Sequence, residues 1–515
     1  MKLEVRRRVF PRFPAVAARL LGPAGGKLAG LVRANRLFAL ALGAGGFLRL
    51  LAMIGYPGVL WFPGDSFVYL GAALRLRPDL SKTTGYSFFL RALEPFHSLI
   101  LVGLVQHLMG LAIAVMVYAL LRRAGVSLRW SALATLPILL DGFEIELEHM
   151  VMAETLFTFL VMVAVTLLLW PERPSWLAGL VAGLLTGYAI IVRTEGLPLP
   201  VLLVGFLLVR RKGWRPVLTT AAGCALPVIA YAAWFHSYTG EYALTRSDGF
   251  YLWGRVSSFA DCAQIKPPAS EQKFCLTTPP ADRQPPGNII WHAPQVHKLK
   301  GGPVSAANNR LLRDFDIRAI EAQPVGYAHA VADGIVMAVD PRRHPYPSAG
   351  TVSHYYFHLK PQVVPANRAW IPGGTAAHDA WAYGHASPSR VIEPFAVAIG
   401  GYQRVFFTYG PLYGAIMLAG LGGLVRFRRR PGRLVRIERR RRGATMLPWT
   451  TAVVLLVFPV AAADFDYRYM LPALPFACLA AGLALVRQPA RDAGEPPSGA
   501  LPAAVRATEA QPEFS

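Results

Sequence analysis

Trp61-Phe62-Pro63-Gly64-Asp65-Ser66-Phe67-Val68-Tyr69 decides how the rest of the chain is read. It follows an apolar run over 37–59 that matches the ~20 residues needed to cross a bilayer. Pro63-Gly64 breaks that helix, and Asp65-Ser66 can cap a new amphipathic one carrying Tyr69 on its next turn. A single carboxylate therefore stands where a helix leaves the membrane, on a segment expected to lie along the surface.

Composition supports a membrane reading. The chain of 515 residues is 54% hydrophobic and 16% charged, with a mean hydropathy of +0.36, whereas soluble domains carry about 25% charged residues. The net charge of +23 sits in short blocks between apolar runs. Cytoplasmic topogenic signals explain such blocks better than nucleic acid does. No nucleic-acid partner is expected.

Apolar runs at 37–59, 99–121, 130–140, 151–170, 177–192, 197–209, 216–235, 411–425, 447–463 and 469–486 predict an all-α polytopic protein of about ten transmembrane helices. Residues 1–36 read as a basic cytoplasmic tail rather than a signal peptide. Residues 37–235 form a membrane core with a first external loop at 60–97. Residues 236–400 form a large external loop, and 401–486 hold the C-terminal helices. Between those helices, residues 426–442 carry ten arginines against one acid. Residues 487–515 form a Pro/Ala-rich cytoplasmic tail without a core. With the N-terminus inside, every dense basic block falls on the cytoplasmic side and every acid-bearing turn on the other. The expected location is a plasma (inner) membrane, with both termini cytoplasmic. Cys262 and Cys275, both in the long external loop, are expected to form a disulfide.

Four external turns bring ionisable groups to one face. They carry Asp65 with Lys82; Glu148 and His149 with Glu154; Arg193 with Glu195; and Arg468 with Tyr469. Glu154 and Arg193 border apolar runs, where charge is costly unless paired or lining a cavity. Carboxylates can act as a general base or hold a metal, and cations can receive phosphate. A lipid-linked phosphosugar suits this geometry, its tail in the bilayer and its phosphate among Lys and Arg.

At this point the chain resembles the GT-C superfamily of polyprenyl-phosphate-dependent membrane glycosyltransferases. The likeness is to the branch with protein O-mannosyltransferases and the lipid A aminoarabinose transferase. It rests on Gly64-Asp65-Ser66-Phe67-Val68-Tyr69, Lys82-Thr83-Thr84-Gly85-Tyr86, Met152-Ala153-Glu154, the Arg193 turn, and Arg468-Tyr469 followed by Pro472 and Pro475. It covers about 37–236 and 445–486. The stretch 246–255 of the long loop is similar to actinobacterial members. The resemblance implies a GT-C-like bundle, with Asp65 as catalytic base and Glu154 supporting the acceptor or a metal. It implies Lys82, Arg193 and Arg468 as ligands of the donor phosphate. Tyr69, Tyr86, Glu148, His149 and Tyr469 are the expected lining of the substrate pocket. A polyprenyl-phosphate sugar is the implied donor, and a protein, lipid or glycan hydroxyl the acceptor. A divalent metal is left open, because Ser66 stands where many relatives have a second acid. A lipid or solute transporter is the alternative, although no internal repeat supports it.

Overall fold

The computed structural model describes residues 30, 32–385, 389–425 and 444–485, and the helical backbone of 433–443. The basic tail at 1–29, the start of the Arg-rich block at 426–432 and the tail from 486 lie outside the described residues. Among the described residues there is no strand, only an isolated parallel bridge between Leu60 and Met150.

Helices α1 (Arg36–Gly55), α2 (Asp65–Arg75), α3 (Gly85–Leu93) and α4 (Leu99–Arg123) open the chain. Two short helices, α5 (Leu128–Leu133) and α6 (Leu136–Leu140), lead to α7 (Gly142–His149) and α8 (Glu154–Leu169). Then come α9 (Trp176–Val192), α10 (Leu199–Val209) and α11 (Trp214–Thr239). The long loop contains α12 (Asp248–Val256), α13 (Ala306–Ala322), α14 (Pro324–Val339) and α15 (Ala376–Gly384). Helices α16 (Glu393–Val405), α17 (Gly410–Val425), α18 (Arg433–Ala462) and α19 (Met470–Ala484) complete it.

Every apolar run becomes a helix, but the count of ten spans is not reproduced by length. Among the described residues, four helices are long and apolar enough to cross a membrane: α1, α4, α11 and 444–462 of α18. A fifth arises if α16 and α17, bent by 59°, act as one span. Some of the others are bounded by charged residues. Asp141 ends α6, and α8 begins at Glu154, whose 16 residues reach only about 24 Å at ~1.5 Å per residue. The membrane character is nonetheless plain on the outer faces, where Leu40, Val201, Ile229 and Leu418 are exposed.

Gly64, at φ 87°, makes the turn that a side chain would strain, and α2 starts at Asp65. Neither Asp65 nor Ser66 caps it. The cap position is Gly64, and the buried Ser66 hydroxyl accepts from the Phe62 N–H at 2.8 Å and donates to the Val151 carbonyl at 3.0 Å. Nor does α2 lie along a surface, since Ser66 to Ala73 are all buried. The long loop covers it. Trp370 packs on Phe67 at 5.1 Å between ring centres, and Asp379 on α15 pairs with Arg75 at 3.0 Å.

The loop has a core of its own, including Phe250, Trp253, Phe274, Leu312 and Phe315. The expected disulfide joins Cys262 to Cys275 beside this core. Pro324 starts α14 directly after α13 ends at Ala322.

Candidate functional site

The backbone first brings two distant turns together. The Leu60 N–H donates to the His149 carbonyl at 2.9 Å, and the Val151 N–H donates to the Leu60 carbonyl at 3.1 Å. This lays the first external loop against the start of α8, so Asp65 and Glu154, each in the first turn of its helix, face a common space.

Three cations fill it. Lys82 Nζ lies 3.0 Å from Asp65 Oδ1, and Arg468 Nη1 lies 3.0 Å from Asp65 Oδ2. Arg193 pairs with Glu154 and forks onto Glu195, with its Nε 3.0 Å and Nη2 2.5 Å from the two carboxylate oxygens. Arg468 reaches to 3.7 Å from Glu154 Oε1 and 3.3 Å from Asp466 Oδ2, linking the two halves. Its guanidinium also lies over Phe62 and Tyr469, at 5.1 and 5.5 Å. Five expected site residues thus converge: Asp65, Lys82, Glu154, Arg193 and Arg468. Tyr469 borders them through its cation–π contact with Arg193 at 5.9 Å. Tyr69 packs edge-on against Tyr86 at 5.0 Å.

The electrostatics follow from this crowding. Burial alone would raise the Asp65 carboxyl, but Lys82 and Arg468 together hold it down at about 2. Burial alone would lower the Lys82 ammonium, and the facing Asp65 lifts it well above its ordinary value instead. Burial pushes the Tyr69 phenol up, so it carries its proton and can donate. The buried Glu154 Oε2 is reached by no hydrogen-bond donor among the described residues. It is the acceptor in the cluster open to an incoming hydroxyl or cation. Among the described residues, no three metal-ligating side chains converge.

Glu148 and His149 are not part of this cluster. Glu148 turns toward the bundle, where Arg49 donates to it from Nε at 2.7 Å and from Nη2 at 2.6 Å. His107 Nδ1 lies 2.8 Å from Glu148, His107 Nε2 lies 3.0 Å from His149 Nδ1, and His149 Nε2 lies 2.9 Å from the Tyr56 carbonyl. Tyr86 also has its hydroxyl committed on this side, donating to Gln106 at 2.7 Å. These residues were expected to line a substrate pocket; their polar atoms instead hold α1, α4 and α7 together.

Sequence reasoning missed the ring from the long loop. The Tyr355 hydroxyl donates to Asp466 at 2.7 Å, and Arg255 reaches Asp464 at 3.1 Å. A signal existed in the Asp464-Phe465-Asp466 turn, where two acids close to a membrane need partners, but the partners lie more than a hundred residues away.

No family model matches the sequence, and no curated protein matches it. Among solved structures, the apo form of the oligosaccharyltransferase of Archaeoglobus fulgidus is similar, with a TM-score of 0.38 and 11% identity. The similarity covers 86% of this chain and 50% of that one, so the chain spans about half that protein's length. An overlap this loose fixes neither a fold family nor an activity.

Proposed function

We propose that the chain is an integral membrane glycosyltransferase of GT-C type, acting at the extracytoplasmic face of a plasma membrane. It transfers a sugar from a polyprenyl-phosphate donor to an acceptor hydroxyl. One observation carries this reading: a carboxylate clamped between two cations, each at 3.0 Å, in the first turn of the buried helix that follows the first membrane span.

A carboxyl held near 2 is a poor base. Lys82 and Arg468 are also what a phosphate seeks. An incoming donor phosphate competes with Asp65 for both, and as they turn to it the Asp65 carboxylate regains its basicity. Donor binding thus arms the base. Asp65 then takes the proton of the acceptor hydroxyl, whose oxygen forms a bond to the anomeric carbon. The bond from that carbon to the phosphate oxygen breaks, with inversion. The lipid phosphate departs with the bonding pair toward Lys82, Arg193 and Arg468, which stabilise the growing charge. Glu154, fixed by Arg193, presents Oε2 to the acceptor.

Transfer from radiolabelled polyprenyl-phosphate sugar to a cell-envelope extract tests this. Asp65→Asn should lower turnover by about 100-fold or more, the range for losing a general base, with folding intact. Turnover near normal in that variant, or substrate uptake into proteoliposomes without transfer, refutes the reading.

A further inference from the structure

Beyond Arg468, away from Asp65, opens a cavity of about 80 Å³ that the proposed reaction leaves unused. Arg343 stands on its wall without an ion pair or hydrogen bond among the described residues. Its guanidinium is held instead by aromatic faces, 3.6 Å from the centre of Phe143 and 4.4 Å from that of Tyr467, with Nε buried and unpartnered. The nearest acids are already committed. Asp141 accepts the N–H groups of Phe143 at 2.8 Å, Glu144 at 3.2 Å and Thr408 at 2.6 Å. Asp466 accepts from Tyr355 at 2.7 Å and from the Arg468 N–H at 3.1 Å. Glu146 lines the same cavity at 1% exposure, and its Oε1 has no partner. Burial keeps the Glu146 carboxyl well above the ordinary range despite Arg343, so it is a donor as well. Arg343 and the neighbouring Glu146 carboxyl, whose Nε and Oε1 have no hydrogen-bond partner among the described residues, define a place for an anion. Leu471 and Leu474 from α19 and Met337 from α14 give the wall an apolar side, with Asp340, Thr408 and Tyr409 also lining it.

We infer that this cavity binds a phosphate-bearing amphiphile, its phosphate held by Arg343 and Glu146 and its chain lying on Leu471, Leu474 and Met337. The site is separate from the donor-phosphate ligands proposed above, and shares only Arg468 with them. Because the shared chemistry is phosphate, the test must separate lipid from free ion.

Equilibrium binding of radiolabelled dodecyl phosphate to the full-length protein in neutral detergent reads it out. Arg343→Gln should weaken one class of site by about tenfold, as losing a charge-assisted pair does. Lys82→Gln should leave that class untouched, so the two sites fail independently. Inorganic phosphate should compete only at concentrations far above those of dodecyl phosphate. Should Arg343→Gln fail to fold, Arg343→Lys keeps the charge but loses the fork, and should bind severalfold more weakly. Unchanged binding in either folded variant overturns the proposal. Competition by inorganic phosphate at equal concentration overturns its lipid part.

Discussion

At the scale of the residue, Asp65 and Glu148 show two uses of a carboxylate held by cations. Asp65 is depressed below its ordinary 3.8 to about 2. A depressed carboxyl adds stability that is complete above the ordinary value and is lost as pH falls through the folded one. Lys82→Met removes one of its two cations, so the Asp65 carboxyl should rise toward its ordinary value and have less stability to lose in acid. Melting temperature followed from pH 7 downward should show the variant less stable than wild type at pH 7 and the gap between them closing below about pH 4. Glu148 is a matter of stability. Its removal strands Arg49, which is 2% exposed, and uncompensated buried charges cost about 3–5 kcal/mol. Glu148→Ala should lower thermal stability sharply, whereas Glu154→Ala should chiefly lower transfer. Equal stability of Glu148→Ala and wild type would contradict the network drawn here.

At the scale of the element, α9 and α11 depend on small residues. A Cβ on Gly183 would meet the Thr220 carbonyl at 2.4 Å, and one on Gly187 the Cys224 carbonyl at 2.5 Å. In a lipid environment, close backbone approach replaces the hydrophobic effect as the source of helix pairing. Gly183→Leu should cost about 1–3 kcal/mol, as overpacking does, measured as a drop in melting temperature. Gly85 belongs to the same pattern: a Cβ there would meet the Ile191 carbonyl at 2.3 Å. That contact seats α3, just after Lys82, against the end of α9 just before Arg193, so packing and site geometry are one constraint.

At the scale of the molecule, the long loop is built around the site. It contributes Trp370 to Phe67, Asp379 to Arg75, Tyr355 to Asp466 and Arg255 to Asp464. Its own core is clipped by Cys262–Cys275, which closes 13 positions of chain. A closure of that size is worth about 3 kcal/mol. The double variant Cys262→Ala/Cys275→Ala should therefore become protease-sensitive within 247–322 while the membrane helices stay protected. Cleavage confined to the membrane core would contradict this division.

Hydropathy alone determined where the helices form, because a bilayer selects apolar runs by length. It also predicted which turns carry the charges, and the oxidising loop predicted its disulfide. The number of helices that can cross was less legible, since Glu154 and Arg193 trim runs that the eye extends. Which acids meet which bases was decided by tertiary structure. The Leu60–Met150 bridge sets Asp65 opposite Glu154, and helix rotation turns Glu148 and His149 inward to Arg49 and His107. Ser66, read as a missing second acid, points at the Val151 carbonyl, so an acid there would not face the cluster. Arg343 carries no sign in sequence of being unpaired, because pairing depends on partners that only the folded chain brings near. Periodicity and hydropathy are local quantities, whereas the direction in which a buried charge faces is set by packing across hundreds of residues.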